Sequence, residues 1–420
     1  MNIKRKDNKG RILRDGESQR SDGRYMFRYT DINGKRRTVY SWQLVKTDKV
    51  PTGKNKATAL RDLETDIRRD ICDGVDTFDA RTKTLNVCFD EYLIMKSGLK
   101  ASTLSIYRLT YDKHIRNQIG LRSIISIKYS DIKILYNNLV TKSGLSLGSV
   151  SNIDKILHPI FSIAVKDGLI KTNPIDGVLS EMKRQQNWRR PKRHALSVEE
   201  QSEFLQFIKN SQWKYLLNLF VFLLGTGCRI GETISLRWCD CDFENRVIHI
   251  DHNLSYEIVN GKKRKYISMP KTPNSIRTVP MLTDVRDALI RERDHQRNDR
   301  IASMELDGYS DFVFRKANGR VYDHHSLDRI LYNIVDRHND IERLRAIDSE
   351  YKLILLPKFS VHTLRRTFCT RLCEHETNLK LIQEIMGHSD IQLTMNIYNE
   401  ITEKNRVSHF EKLDEKFKLF

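Results

Sequence analysis

No run of apolar residues in this 420-residue chain is long enough to cross a bilayer. The longest, from Tyr215 to Gly225, is interrupted by Asn218 and reads as a buried helix. Nor does an apolar stretch follow Met1, where Asn-Ile-Lys-Arg-Lys leads into more polar residues, so no secretory leader is expected and the protein is expected in the cytoplasm. Cysteine is scarce: seven residues, odd in number and scattered. Cys239 with Cys241, and Cys369 with Cys373, lack the paired spacing of a zinc site or a disulfide framework, so all read as free thiols and no metal is expected. Acidic residues are in deficit, 54 against 73 Lys and Arg, for a net charge of +19. That excess calls for a polyanionic partner, and nucleic acid suits it better than an anionic membrane surface.

The length predicts two or three domains, each with its own core. Up to about Thr58 the chain holds sixteen Lys and Arg against six Asp and Glu. Period-two runs at Arg24–Tyr29 and Arg37–Trp42 read as strands joined by a turn at Asp31-Ile-Asn-Gly34, with a further strand near Gly10–Arg14. Helical periodicity then runs from Ala57 to Gly74. Tyr25, Phe27 and Tyr29 alternate with Arg24, Met26 and Arg28, so one face of the sheet must pack on that helix. From Thr84 to about Lys183 apolar residues recur at three- and four-residue spacing, with starts near Ser102 and Ser130 and a stop at Asn173-Pro174. Residues 183–194 are a basic linker around a proline. From Leu196 the pattern is mixed, with strands between Arg246 and Pro280, and residues 405–420 form an amphipathic tail helix with Phe410, Leu413 and Phe417 on one side. The expected class is multidomain α+β: a small β-sheet domain (1–75), an all-helical domain (82–183), a basic linker (184–195), a mixed α/β domain (196–404) and the tail.

Phosphodiester chemistry is suggested by residues of the mixed domain. Gly225-Thr-Gly-Cys-Arg-Ile-Gly-Glu232 follows the buried helix and opens another, so Arg229 projects from a rigid junction, where a guanidinium can make two parallel hydrogen bonds to a phosphate. Glu232, three residues on, is placed to orient it. His362-Thr-Leu-Arg365 starts a helix with imidazole and guanidinium at a spacing of three. Met386-Gly-His388-Ser lies at a turn between helices, and Tyr398 follows ten residues later. Each piece alone reads as an ordinary surface charge, structural histidine or core tyrosine.

In this order they resemble the tyrosine recombinases, whose motifs are TG-x-R-x-x-E, H-x-L-R, a GH turn and a nucleophilic tyrosine shortly after it. The resemblance spans the whole mixed domain and implies catalytic roles for Arg229, His362, Arg365, His388 and Tyr398. It also implies a lysine in the hairpin before H-x-L-R. Met269-Pro-Lys271-Thr-Pro resembles that hairpin, so Lys271 is chosen over Lys262, Lys263 and Lys265. Two departures stand out: Arg366 follows the second arginine where many relatives have histidine, and Asn399-Glu400 follows the tyrosine.

What the resemblance implies is strand cutting and rejoining through a 3′-phosphotyrosine and a Holliday junction, with no metal, nucleotide or other cofactor. The helical domain resembles the core-binding domain of the family. The amino-terminal sheet resembles the arm-type DNA-binding domain of conjugative-transposon integrases of Gram-positive bacteria, so Arg20, Arg24, Arg28, Lys35, Arg36 and Arg37 are its candidate contacts in a major groove. Further implications are a homotetramer on double-stranded DNA with core and arm sites, an excisionase, a DNA-bending factor, and nucleoid association when DNA is bound. The other classes considered are a prophage integrase, a chromosome-dimer-resolving recombinase, a type IB topoisomerase and a catalytically silent DNA-binding regulator.

Overall fold

The computed structural model describes residues 5–55, 57–75, 77–189, 194–259, 262–270, 275–346 and 353–404. The chain divides into two compact units, Met1–Arg190 and Pro191–Phe420. The division falls within the stretch expected as a linker, and the two amino-terminal modules lie together in the first unit.

The first unit opens with an antiparallel sheet, β1 (Glu17–Gln19), β2 (Tyr25–Thr30) and β3 (Arg36–Ser41), in sequence order. The outer strand is therefore at 17–19, not at 10–14, where the chain makes only an isolated bridge from Lys6 to Ile12. Glu17 explains the shift: fully buried, it accepts from the Arg14 amide at 2.7 Å and from Arg61 at 3.1 Å, which draws this segment onto α1 (Leu60–Cys72). Tyr25 and Phe27 bury themselves with Leu44, Leu60 and Ile67, so the alternation does face one side of β2 toward α1.

Among the described residues this unit continues with six further α-helices: α2 (Thr77–Thr82), α3 (Leu85–Met95), α4 (Ala101–His114), α5 (Tyr129–Thr141), α6 (Leu147–Lys166) and α7 (Val178–Gln185). The twenty-residue α6 buries Val150, Ile153, Ile156, Leu157, Ile160, Phe161 and Ala164, a stripe of three- and four-residue spacing, and its Ser146 cap accepts from the Ser149 amide at 3.1 Å. Four boundaries differ from expectation. Ser102 and Ser130 lie one residue inside α4 and α5, whose caps are Lys100 and Lys128; at α5 the Asp131 carboxylate, not a serine, takes the Lys128 amide at 2.8 Å. Helix α6 stops at Lys166, ahead of Asn173-Pro174, because Gly168 takes the left-handed turn at φ +69°. Helix α7 runs to Gln185, into the expected linker, because Val178 and Met182 are buried in the helical core.

The second unit contains α8 (Val198–Lys209), α9 (Leu217–Thr226), α10 (Ile230–Ser235), β4 (Cys241–Asp242), β5 (Val247–Ile250), β6 (Asn253–Val259), β7 (Lys262–Ser268), β8 (Arg277–Pro280), α11 (Thr283–Asn298), α12 (His324–Arg345), α13 (Val361–His375), α14 (Leu379–Met386) and α15 (Ile391–Lys404). Strands β4, β5 and β8 form one antiparallel sheet and β6 with β7 a hairpin. The apolar run expected as a buried helix is α9, with Leu219, Phe220, Phe222, Leu223 and Leu224 in the core. A β-carbon on Gly225 would lie 2.4 Å from Val285 Cγ2, so glycine lets α9 and α11 approach closely. A smaller core of Cys369, Cys373, Ile382, Met386 and Ile397 joins α13, α14 and α15. The tail expected at 405–420 lies outside the described residues.

Candidate active site

Helix α9 ends at Gly227, left-handed at φ +61°. A β-carbon there would sit 2.4 Å from Phe368 Cδ1 of α13, so both the turn and the packing demand glycine. Arg229 then caps α10. Its amide donates to Glu232 Oε2 at 2.8 Å and its Nη1 to Glu232 Oε1 at 2.7 Å, a two-point contact on a carboxylate only 4% exposed. Its Nη2 donates to the Gly387 carbonyl at 2.7 Å.

That carbonyl belongs to a set. The last carbonyls of a helix have no intrahelical donors and carry its negative dipole end. At the end of α14 three consecutive ones are each taken by a different arginine: Ile385 by Arg277 Nε at 2.7 Å, Met386 by Arg365 Nη2, and Gly387 by Arg229 Nη2. Arg365, only 4% exposed, also donates to the Gly227 carbonyl at 2.6 Å. It thus ties the end of α9 to the end of α14. Arg277, on β8, closes the ring by donating to Glu232 Oε2 at 3.0 Å.

Three guanidiniums therefore surround one carboxylate. Burial works against ionisation of Glu232, but Arg277, then Arg229 and Arg365, outweigh it and hold the acid below its ordinary range. Burial and the neighbouring Arg229 bring Arg365 down to about 10, so it keeps its charge at neutral pH. His388 follows the three carbonyls directly. Burial first, and then the charges of Arg365, Arg229 and Arg277, push it down to about 3, so its imidazole is neutral. The resulting cluster is preorganised, partly desolvated and short of negative charge, the condition that favours binding an anion with delocalised charge.

His388 Nδ1 lies 3.0 Å from Thr394 Oγ1, and Thr394 is fully buried on α15. The imidazole's backbone is held as well: its amide donates to the Gln383 carbonyl at 3.1 Å, and Gln383 Nε2 donates to its carbonyl at 3.0 Å. Tyr398 follows Thr394 by four residues, on the same face of α15 and one turn from the His388 contact. It is partly buried against the small core of α13, α14 and α15. His362, in the first turn of α13, is exposed, whereas Arg365 three residues on is buried.

The structure thus brings Arg229, Glu232, Arg365 and His388 into one hydrogen-bonded and electrostatic cluster and sets Tyr398 on the helix that anchors His388. Lys271 lies outside the described residues. Two of its rivals are engaged elsewhere: Lys265 Nζ donates to the Val321 and Tyr322 carbonyls at 3.3 Å, and Lys263 Nζ sits 4.0 Å above the Tyr256 ring. Sequence reasoning assigned no role to Arg277 or Thr394. Little in the local sequence marks Arg277, whose shortest hydrogen bonds go to a carboxylate 45 positions back and a backbone carbonyl 108 positions on.

On the amino-terminal sheet, the pairing of Arg28 with Thr38 and of Thr30 with Arg36 puts Arg28 and Arg36 on the face away from α1, both exposed. Lys35 and Arg20 are exposed too, and Arg24 pairs with Asp22 at 2.7 Å beside the Tyr40 ring. Arg37 departs from the expected set. It pairs with Tyr29 in register, so it falls on the inner face, donates to Asp31 at 2.8 Å and lies 4.1 Å over the Phe78 ring.

Among the described residues two groups have metal-ligand character, Glu203–His338–Glu342 and Asp240–Asp251–His252. Neither contains a cysteine, and both histidines are already engaged: His338 with Glu203 at 3.2 Å, His252 with the Ser235 carbonyl at 2.7 Å. No described helix is long and apolar enough to cross a membrane.

Residues 194–405 match the phage integrase family, and residues 1–71 match the DNA binding domain of Tn916 integrase. The chain is 34% identical over 416 residues to the transposase from transposon Tn1545 of Streptococcus pneumoniae, covering 99% of this chain and 98% of that protein. It is 33% identical, over the same shares, to the transposase from transposon Tn916 of Enterococcus faecalis. Among solved structures, the Tn1549 transposon integrase in complex with transposon right end DNA is similar at a TM-score of 0.66 and 30% identity, over 79% of this chain and 99% of that one. The chain belongs to the phage integrase family, as an integrase-type tyrosine recombinase with the amino-terminal module of the Tn916 integrase.

Proposed function

We propose that this chain integrates and excises a conjugative transposon by cutting and rejoining double-stranded DNA at specific sites, with Tyr398 as the nucleophile. The observation that carries the reading is the excess of guanidinium over carboxylate around the end of α14, on the helix preceding the one that bears Tyr398. The amino-terminal module and the full-length likeness to the Tn916 and Tn1545 transposases support the same element class.

In this mechanism the Tyr398 oxygen attacks phosphorus, the phosphorus–O5′ bond breaks, and the DNA is held as a 3′-phosphotyrosine that conserves the phosphodiester energy. Arg229 and Arg365 neutralise charge on the non-bridging oxygens as the pentavalent state forms. Neutral His388 donates a hydrogen bond to the same group. Lys271 protonates the departing 5′ oxygen, and His362 aligns the phosphate or assists proton transfer. The chemistry is carried by side chains, with no metal or nucleotide. Four protomers exchange strands through a Holliday junction, aided by an excisionase and a DNA-bending factor. The sheet face with Arg28 and Arg36, together with Arg20, Arg24 and Lys35, contacts arm DNA in a major groove, while the helical domain and the catalytic domain hold the core site. The domain limits are those read from the sequence, 1–75, 82–183 and 196–404.

The test is recombination in vitro between DNA fragments carrying the two ends of the host element and its target. Recombinant junctions formed in EDTA without ATP support the reading. Relaxation of any supercoiled plasmid with no junctions formed would instead indicate a topoisomerase, and binding without cleavage a silent regulator.

A further inference from the structure

Arg277 is the one member of the arginine ring that the catalytic motifs do not include. Its side chain is only 5% exposed, and its Nε, Nη1 and Nη2 each have an acceptor within the protein. Its contacts run inward: Nε to the Ile385 carbonyl at 2.7 Å, Nη2 to Glu232 Oε2 at 3.0 Å and Nη1 to the Ser275 carbonyl at 3.3 Å, with Cys228 Sγ 3.9 Å away. Gly387 leaves room for it, since a β-carbon there would stand 3.0 Å from Arg277 Cδ.

These contacts give Arg277 two tasks. Glu232 grips Arg229 through both its oxygens, and Arg277 is the second arginine that donates directly to this buried carboxylate, adding to the charge of Arg365 nearby. The same guanidinium holds the end of α14 beside that grip, which fixes the carbonyl of Gly387 under Arg229 Nη2. Arg277 also stands at the start of β8, six residues after Lys271, so the strand following the proposed general acid is anchored to the phosphate-holding arginines.

We propose that Arg277 is a positioning residue for strand cleavage, orienting Arg229 through Glu232 and the end of α14. The proposal rests on the reading of this cluster as the strand-cleaving site. Loss of such support for a reacting geometry is expected to slow the chemical step by about 10²-fold, because small misplacements are costly when catalysis depends on alignment.

The experiment measures single-turnover covalent complex formation on a nicked core-site substrate, with DNA affinity from mobility shifts, for the full-length protein. Arg277→Met is expected to cleave about 10²-fold more slowly with affinity unchanged. Arg277→Lys, which keeps the charge but cannot span Glu232 and Ile385 together, is expected to lie between it and the wild type. In the Arg277→Met, Glu232→Gln double variant, the loss should be no greater than in the slower single variant. Should Arg277→Met fail to fold, the folded Arg277→Lys protein decides by the same split of rate from affinity. Cleavage at the wild-type rate, affinity falling in step with cleavage, or losses that multiply in the double variant would each overturn the proposal. A wild-type protein that formed no covalent complex would instead overturn the recombinase reading, and this proposal with it.

Discussion

The His388 imidazole and the Thr394 hydroxyl meet at 3.0 Å, joining the turn after α14 to the helix that carries Tyr398. With the hydroxyl donating to Nδ1, the remaining ring proton sits on Nε2, the tautomer a neutral phosphate donor needs. Thr394→Val keeps the shape and removes the hydroxyl from a fully buried position. It is expected to cost about 1–3 kcal/mol of stability and roughly tenfold in cleavage rate, while Thr394→Ser restores both. Thermal melts and single-turnover cleavage check this.

Acid should weaken the free protein through His388. Its folded pKa, pushed down to about 3, lies below the ordinary histidine value of 6.5. Between these values the unfolded chain binds the proton and the folded chain does not. Stability is therefore full above about pH 6.5 and falls as pH drops toward 3, by at most about 1.4 kcal/mol per pH unit from this group. Urea titrations at pH 4.5, 5.5 and 7 should show a shallower decline for His388→Gln than for the wild type.

Gly227→Ala should damage fold and site together. The left-handed φ of +61° and the 2.4 Å approach to Phe368 both oppose a β-carbon. A loss of about 1–3 kcal/mol is expected, with cleavage falling further than stability because the Gly227 carbonyl holds Arg365. Gly10→Ala has open space and should show strain from its own φ only.

The two faces of the amino-terminal sheet should respond differently. Arg28→Ala and Arg36→Ala are expected to weaken binding to arm-site DNA, each lowering the dependence of log affinity on log salt by about one, with melting temperature unchanged. Arg37→Ala should lower the melting temperature with the salt dependence intact, because Arg37 serves Asp31 and the Phe78 ring.

Much of the site was legible because its parts are contiguous in the chain. Arg229 and Glu232 are three residues apart on one helical turn, and their contact follows from that spacing. His388 beside the turn glycine and Tyr398 on the next helix could be read in the same way. The arginine ring at the end of α14 could not, because its acceptors are backbone carbonyls, which every residue has. Arg37 was readable in principle: counting from the Asp31–Gly34 turn pairs it with Tyr29, which faces the core. The third strand was misplaced because a buried carboxylate, Glu17, decided the pairing against an apolar pattern at 10–14. Helix ends shifted where a glycine turn came before the proline, where core packing carried α7 into the expected linker, and where a carboxylate took the capping place expected of a serine.

The most direct measurement is the chemical identity of the DNA-linked residue. A suicide substrate trapped on the full-length protein, digested and sequenced by mass spectrometry, should yield a nucleotide adduct on Tyr398, and Tyr398→Phe should yield none while still binding the site. An adduct on any other residue, or one that persists in Tyr398→Phe, would contradict the account.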